Sequence, residues 1–439
     1  MTGSSLTILI YSMTNNMNHQ YSLEYARKLD EQDNLTIYRE QFYAPYLNNK
    51  RAVYFLGNSL GLQPKTSQDE VMKVMEGWAN FGVEGFFLGN DPWLHYHKQI
   101  TPLLTNIIGV KEEEIVIMNH LTVNLHLLMI SFYRPTKTRY KIICEAKAFP
   151  SDQYAFQSQV KLHGVDPRDA IIEVHPKEGT ELITTKDIHD TIEAHKDGIA
   201  LVLFSGVNYY SGQVFDIAAI TKAAHQAGSY AGFDLAHAAG NIKLQLHEWN
   251  VDFACWCNYK YLNSGPGAIA GAFVHERHLN DEKIPRLEGW WGNHLSNRFK
   301  MQNSFTSSQT AESWSMSTPP IMMLAAHKAA LQVFAAAGFD NLLTKSKALS
   351  SYLFFVLNHI NQPHEKFRII TPQDDDEHGA QVSISLHQNA KAVFDTLLPL
   401  GIFADWREPN VIRIAPVPLY NSFEDIFIFA DALRQLLTD

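Results

Sequence analysis

Between roughly residues 115 and 275, short apolar runs rich in β-branched residues alternate with longer stretches of helical spacing. Seven runs follow one another: "EEIVIM", "RYKIICEA", "DAIIEVH", "IALVLFSGV", "YAGFDLAH", "VDFACWC" and "AIAGAFVHE". Strands separated by helix-length segments predict crossover units, and so an α/β fold whose mostly parallel sheet is covered on both faces. After residue 320 the pattern changes. "PPIMMLAAHKAALQVFAAAG" reads as a helix opened by Pro319 and Pro320, a second helix runs through "LTKSKALSSYLFFVLNHI", and strands are expected at "QVSISL" and "VIRIAPV". Helices followed by mixed strands predict a smaller α+β domain. Around "QYSLEYARKLDEQD" the first 50 residues have helical periodicity, and this segment is expected to pack on the smaller domain or on a partner. The expected division is a helical segment at 1–50, a large domain at 51–318 and a small domain at 319–439.

Composition narrows what this architecture serves. The chain has 439 residues, 46% of them hydrophobic, and a formal charge of −10. That size suits large buried cores, and an acidic chain without a basic run has no electrostatic footprint for nucleic acid. Three cysteines cannot form a disulfide framework, so a reducing, cytoplasmic setting is expected. The apolar patch "LTILIYSM", Leu6 to Met13, has no basic residue before it and is too short to span a membrane. "DDDEH", Asp374 to His378, reads as a solvated loop, and there is no internal repeat. His95 with His97, and His120 with His126, lack carboxylate or cysteine partners at ligand spacing, so no metal is expected. GxxxxGK[ST] and a strand-to-helix GxGxxG are absent, which argues against nucleotide binding, and no serine elbow of the strand–GxSxG–helix kind is expected.

The candidate chemistry gathers at the predicted strand ends. Lys260 in "CNYKYLNSGPG" follows an apolar run and sits between two tyrosines. Most lysines carry solvated charge, but one withdrawn from water can act as a free amine and form a Schiff base. Asp234 and His237 end the strand "YAGFDLAH", at the edge where open α/β sheets bind ligands. Asp234 reads equally as a helix N-cap and as the acid that keeps a pyridine nitrogen protonated. It precedes Lys260 by 26 residues, room for a helix and a further strand. Polar turns at Leu121–Thr122, at Ser151–Asp152 and at Ser205 follow three other strands, the first at a helix N-terminus suited to an anion.

The blocks "FLGNSLGLQPK", "FPSDQYA", "FSGVNYYSGQ", "GFDLAHAAGN", "DFACWCNYKYLNSGPG", "RFKM" and "RIAPVPLYNSF" resemble the kynureninases, in order, over about residues 50 to 425. The resemblance implies a fold-type-I pyridoxal 5'-phosphate fold with a seven-stranded sheet in the large domain. It implies hydrolytic cleavage of L-kynurenine, or its 3-hydroxy form, to anthranilate or 3-hydroxyanthranilate plus L-alanine, in tryptophan breakdown and NAD biosynthesis. By that resemblance Lys260 is the Schiff-base lysine, Asp234 the partner of the pyridine nitrogen, and Tyr259 and Thr122 phosphate-side contacts. Tyr259 is also the candidate for proton transfer at the substrate carbonyl. Leu121, Phe149, Pro150, Ser151, Asp152, Ser205, His237, Trp290 and Thr318 match further cofactor contacts, with Trp290 expected from the neighbouring subunit of a homodimer with a shared site. Arg413 matches the cation that grips the substrate α-carboxylate, and Ser59, Val83 and Thr318 line the substrate. Val83 and Thr318 stand where relatives that favour the 3-hydroxylated substrate carry histidine and asparagine, so unsubstituted kynurenine is the expected substrate. Two other readings remain: another fold-type-I activity such as cysteine desulfuration, which needs a mobile reactive cysteine, and a non-catalytic protein that keeps the fold.

Overall fold

The computed structural model describes residues 19–438, so the apolar patch at Leu6 to Met13 lies outside the described residues. All seven expected strands form one sheet: β1 (Ile115–Ile117), β2 (Lys141–Glu145), β3 (Ile171–Val174), β4 (Ile199–Ser205), β5 (Tyr230–Asp234), β6 (Phe253–Trp256) and β7 (Gly271–Val274). Their order is β1-β7-β6-β5-β4-β2-β3. Only β7 runs against its neighbours, β6 and β1. β5, β6 and β7 are buried on both faces or nearly so, which is why they read as unbroken apolar runs rather than as alternating patterns. The helices Leu121–Phe132 and Pro150–Leu162, which follow β1 and β2, pack together, and their apolar residues share one core cluster.

A second sheet holds β8 (Phe367–Ile369), β9 (Val382–Leu386), β10 (Asp405–Arg407) and β11 (Val411–Ile414), antiparallel throughout in the order β8-β9-β11-β10. The helices Phe339–Ile360 and Phe423–Leu436 supply Leu353, Leu357, Phe429 and Leu433 to its core. Ala26 and Leu29 of the helix Leu23–Glu31 join that same core. Of the two places the sequence allows for the N-terminal segment, it takes the small domain.

The packing crosses the expected boundaries at both ends. Val53–Tyr54 pairs in parallel with Ile402–Phe403, and Leu56 bridges to Ala415, so the chain just past residue 50 is stitched to the small domain. The helix Ile321–Ala337, expected to open the small domain, instead shares the large core, where Leu324, Leu331 and Phe334 join Val74 and Ile100. Its alanines let it be enclosed on several sides. Gly338, at φ 77°, then turns the chain by 79° into Phe339–Ile360. Among the described residues no single helix is long and apolar enough to cross a membrane.

Candidate active site

Register brings the chemistry to one edge. Asp234 lies opposite Ser205 on β4 and Cys255 on β6, so the carboxyl ends of three central strands finish level. From that edge the chain turns through Asp234–His237 after β5 and through Tyr259–Lys260 after β6, while Phe149–Asp152 follows β2. Lys260 Nζ donates to His237 Nε2 at 3.0 Å and lies 5.9 Å from the Phe149 ring centre and 6.0 Å from that of Tyr259. His237 is buried, and burial with the nearby cations Lys260, Arg413 and Arg407 holds its pKa well below the ordinary value. It is therefore a neutral ring that accepts from the lysine.

The lysine faces an acid cluster. Asp152 and Asp234 lie against one another, and burial pushes both carboxyls up, Asp152 the further because Asp234 opposes its charge. Asp234 keeps the better claim to ionise, since Oδ1 accepts from Ala236 N at 2.7 Å and Lys260 is close. That bond is an Asx turn and not a helix cap, because only turns follow Asp234 and no helix separates β5 from β6. Glu145, at the end of β2, accepts from Ser205 N at 3.1 and 3.2 Å, and burial raises it to about 7.

Two helix N-termini meet beside these acids. His120 provides no side-chain cap to Leu121–Phe132, and Phe149 none to Pro150–Leu162, which leaves first-turn N–H groups for an anion. Thr122 Oγ1 and Ser151 Oγ, one from each first turn, are 2.8 Å apart. Among the described residues, the buried atoms Asp152 Oδ1, Ser205 Oγ and His237 Nδ1 have no partner. Orphaned buried polar groups are costly, and three around one amine, with a phosphate cradle alongside, fit pyridoxal phosphate.

Arg413, on β11, is buried; burial lowers it to about 10, and it donates through Nη1 to the Tyr209 carbonyl and pairs through Nη2 with Asp405. Tyr209 also meets Phe149 edge-on at 5.3 Å, and with Arg407 it lines a cavity of 680 Å³. The turn carrying Ser59 rests on the lysine loop: Gly61 N donates to Tyr259 O at 2.8 Å, and a Cβ on Gly61 would stand 2.4 Å from Lys260 O. Three expected residues are not gathered here. Val83 is 72% exposed, Thr318 is exposed, and Trp290 packs edge-on against Phe299. Glu145, Tyr209, Asp405 and Arg407 were not anticipated. Glu145 carries the signal that singled out Asp234, a carboxylate at the carboxyl end of an apolar strand.

Of the four histidines considered as metal ligands, His95 is exposed and the other three are engaged elsewhere. His97 pairs with Glu312 at 2.5 Å, His120 donates to Gly267 O at 3.2 Å, and His126 accepts from Gln159 at 2.9 Å. Glu114, His247 and His275 do cluster, but the two rings stack at 17°, so their in-plane lone pairs run side by side and do not converge. The Glu114 carboxylate is already taken by His247 and by the N–H groups of Lys111 and Glu276.

Among solved structures the fold is similar to a cysteine desulfurase from Thermococcus onnurineus (TM-score 0.69, 18% identity, 88% of this chain and 95% of that one). It is also similar to the C-DES mutant K223A with glycine covalently linked to its pyridoxal-phosphate cofactor (TM-score 0.74, 17% identity, 90% and 98%). The family model described as the kynureninase C-terminal domain matches residues 342–433. Kynureninase from Flavobacterium psychrophilum is 52% identical over 95% of this chain and 98% of its own length, and that of Mus musculus 45% identical over 94% and 92%. Identity at that level over almost the whole chain, far above what the fold neighbours share, makes the chain a member of the kynureninase family.

Proposed function

We propose that this strand-end recess hydrolyses the Cβ–Cγ bond of L-kynurenine, releasing anthranilate and L-alanine. The observation that carries the reading is the amine of Lys260 set between His237 and the buried acid pair, with the Thr122–Ser151 cradle beside it. Thr122 and Ser151, with the first N–H groups of their helices, would hold the cofactor phosphate, Asp234 its ring nitrogen, and Phe149 one face of the ring. When bound, pyridoxal phosphate supplies an electron sink for the substrate's Cα.

The chain's own groups do the rest. Arg413 holds the α-carboxylate, which fixes the Cα–H bond relative to Lys260. Lys260 takes the Cα proton and later returns one to the alanine product. Asp234, ionised in a dry pocket, keeps a proton on the atom it faces, while Asp152 carries the proton the pair shares. Tyr259 passes a proton to the γ-carbonyl oxygen as water adds there. The C–C bond then breaks as the hydrated carbonyl gives a proton back to Tyr259 and leaves as anthranilate, and the electron pair left on Cβ takes up a proton to become the alanine methyl. Burial pushes the Tyr259 hydroxyl up, so it serves as a donor near neutral pH.

A homodimer with a shared site is part of this reading. Val83, Phe87, Trp290 and Phe299 are all exposed, and the rings of Phe87, Phe299 and Trp290 touch in series, an apolar surface suited to a second copy. A second chain seated there would bring Trp290, Val83 and Thr318 to the site. With no histidine or asparagine at those positions, the pocket does not single out a ring hydroxyl, and kcat/KM is expected to favour L-kynurenine over the 3-hydroxy substrate by about tenfold or more. All three cysteines are buried and burial pushes their thiols up, which leaves no mobile nucleophile for desulfuration. Reduced thiols and the acidic composition suit a cytoplasmic enzyme.

The deciding experiment follows the visible spectrum and anthranilate fluorescence together on adding L-kynurenine. The expected result is a visible cofactor band and growing emission, with Lys260→Ala losing the native band and about a thousandfold or more in turnover. A wild-type band without anthranilate would overturn the substrate, and no band after cofactor is supplied would overturn the site.

A further inference from the structure

Arg413 does not stand alone. Asp405 lies directly opposite it in the β10–β11 ladder, and opposed residues in an antiparallel pair hold their Cβ atoms about 4.5–5.5 Å apart on one face. The pairing is therefore built into the sheet. Asp405 Oδ2 pairs with Arg413 Nη2, while Asp405 Oδ1 receives Nη1 of Arg407 at 3.2 Å. On its other arm Arg413 Nη1 donates to the Tyr209 carbonyl. These contacts fix the guanidinium plane and leave one nitrogen, the buried Nε, without an acceptor among the described residues.

Charge points the same way. Two guanidiniums and one carboxylate leave one net positive charge, the complement of one incoming carboxylate. Tyr209 ties the pair to the recess: its carbonyl accepts from Arg413 and its ring meets Phe149, while Arg407 shares with it the lining of the adjoining cavity. A buried ion pair is poor evidence of stability, because well-packed apolar residues often serve as well. Its retention here calls for a functional reason.

We propose that Asp405 is the positioning residue of the carboxylate subsite: it bridges Arg413 to Arg407, locks the Arg413 guanidinium with its Nε edge free, and makes Arg407 the second cation that the substrate carboxylate meets. This rests on the kynurenine-cleaving reading.

The test is steady-state kinetics on the holoenzyme with L-kynurenine. Asp405→Asn is expected to raise KM by about tenfold or more while kcat moves by less than about threefold, with the visible band and cofactor retention unchanged. In an Arg413→Lys background the same substitution should add less than about threefold, because the group it orients is gone. Arg407→Gln should raise KM by about fivefold, and it decides the matter if Asp405→Asn does not fold. The proposal is overturned by a KM within about twofold of wild type, by a loss confined to kcat, or by fully additive effects with Arg413→Lys. Wild-type protein that releases no anthranilate defeats the functional reading, whereas active wild type with an unmoved KM in the variant defeats this inference alone.

Discussion

Three carboxyls share the buried end of the sheet, and among the described residues Lys260 is the cation placed against Asp152 and Asp234. For Glu145 this arrangement has a measurable sign. Its ordinary value is 4.5 and burial raises it to about 7, so between those values the folded chain keeps a proton that the unfolded chain releases. Cofactor-free protein should therefore lose stability as pH rises through that window. Glu145→Gln cannot titrate, and its stability relative to the parent should improve by roughly 2–3 kcal/mol between pH about 4.5 and about 7.5, read from urea unfolding of the cofactor-free forms. An unchanged gap would show that the carboxyl is not held protonated. At this scale the sequence was informative wherever a charge interrupts an apolar strand end, as at Lys260 and Asp234. It was silent where a residue matters through partners far along the chain: Arg413 meets a carbonyl 204 positions away, and only the family resemblance marked it.

Elements were the most legible level, because seven apolar runs had no reasonable fate other than buried strands. The segment after Asp234 was not. "LAHAAG" has good helix formers, yet Asp234 bonds Ala236 N and the backbone turns, a local side-chain bond outweighing propensity. Asp30 shows the reverse case, a cap supplied from outside its own segment. Its two oxygens accept from Phe423 N at 2.7 Å and Glu424 N at 2.9 Å, at the start of Phe423–Leu436, where Ser422 and Asp425 already form a capping box. Asp30→Ala should cost about 1–2 kcal/mol, seen as a lower urea midpoint, with KM for L-kynurenine unchanged. No loss would mean that the capping box alone satisfies that helix.

For the whole molecule, the sequence pattern marks two domains but cannot reveal that the chain near residue 53 is paired with strand residues near 402, nor that Ile321–Ala337 belongs to the larger core. Such contacts are set by three-dimensional packing between distant segments, which periodicity does not encode. The apolar surface around Phe299 belongs to this scale too. Phe299→Asp is expected to shift sedimentation toward monomer and to lower activity most at high dilution. Activity independent of dilution in a monomeric variant would mean that one chain suffices.

The meeting of Thr122 and Ser151 has a consequence for how the cofactor and the fold depend on each other. Their helices follow β1, at one edge of the sheet, and β2, next to the other edge, so a doubly charged anion gripped by both first turns acts as a clamp across the width of the large domain. Loading the enzyme is then also a way of fastening it, by about 2.7 kcal/mol at a hundredfold excess over Kd. Inorganic phosphate alone should raise the melting temperature of the cofactor-free protein, and pyridoxal without its phosphate should lack that part of the effect.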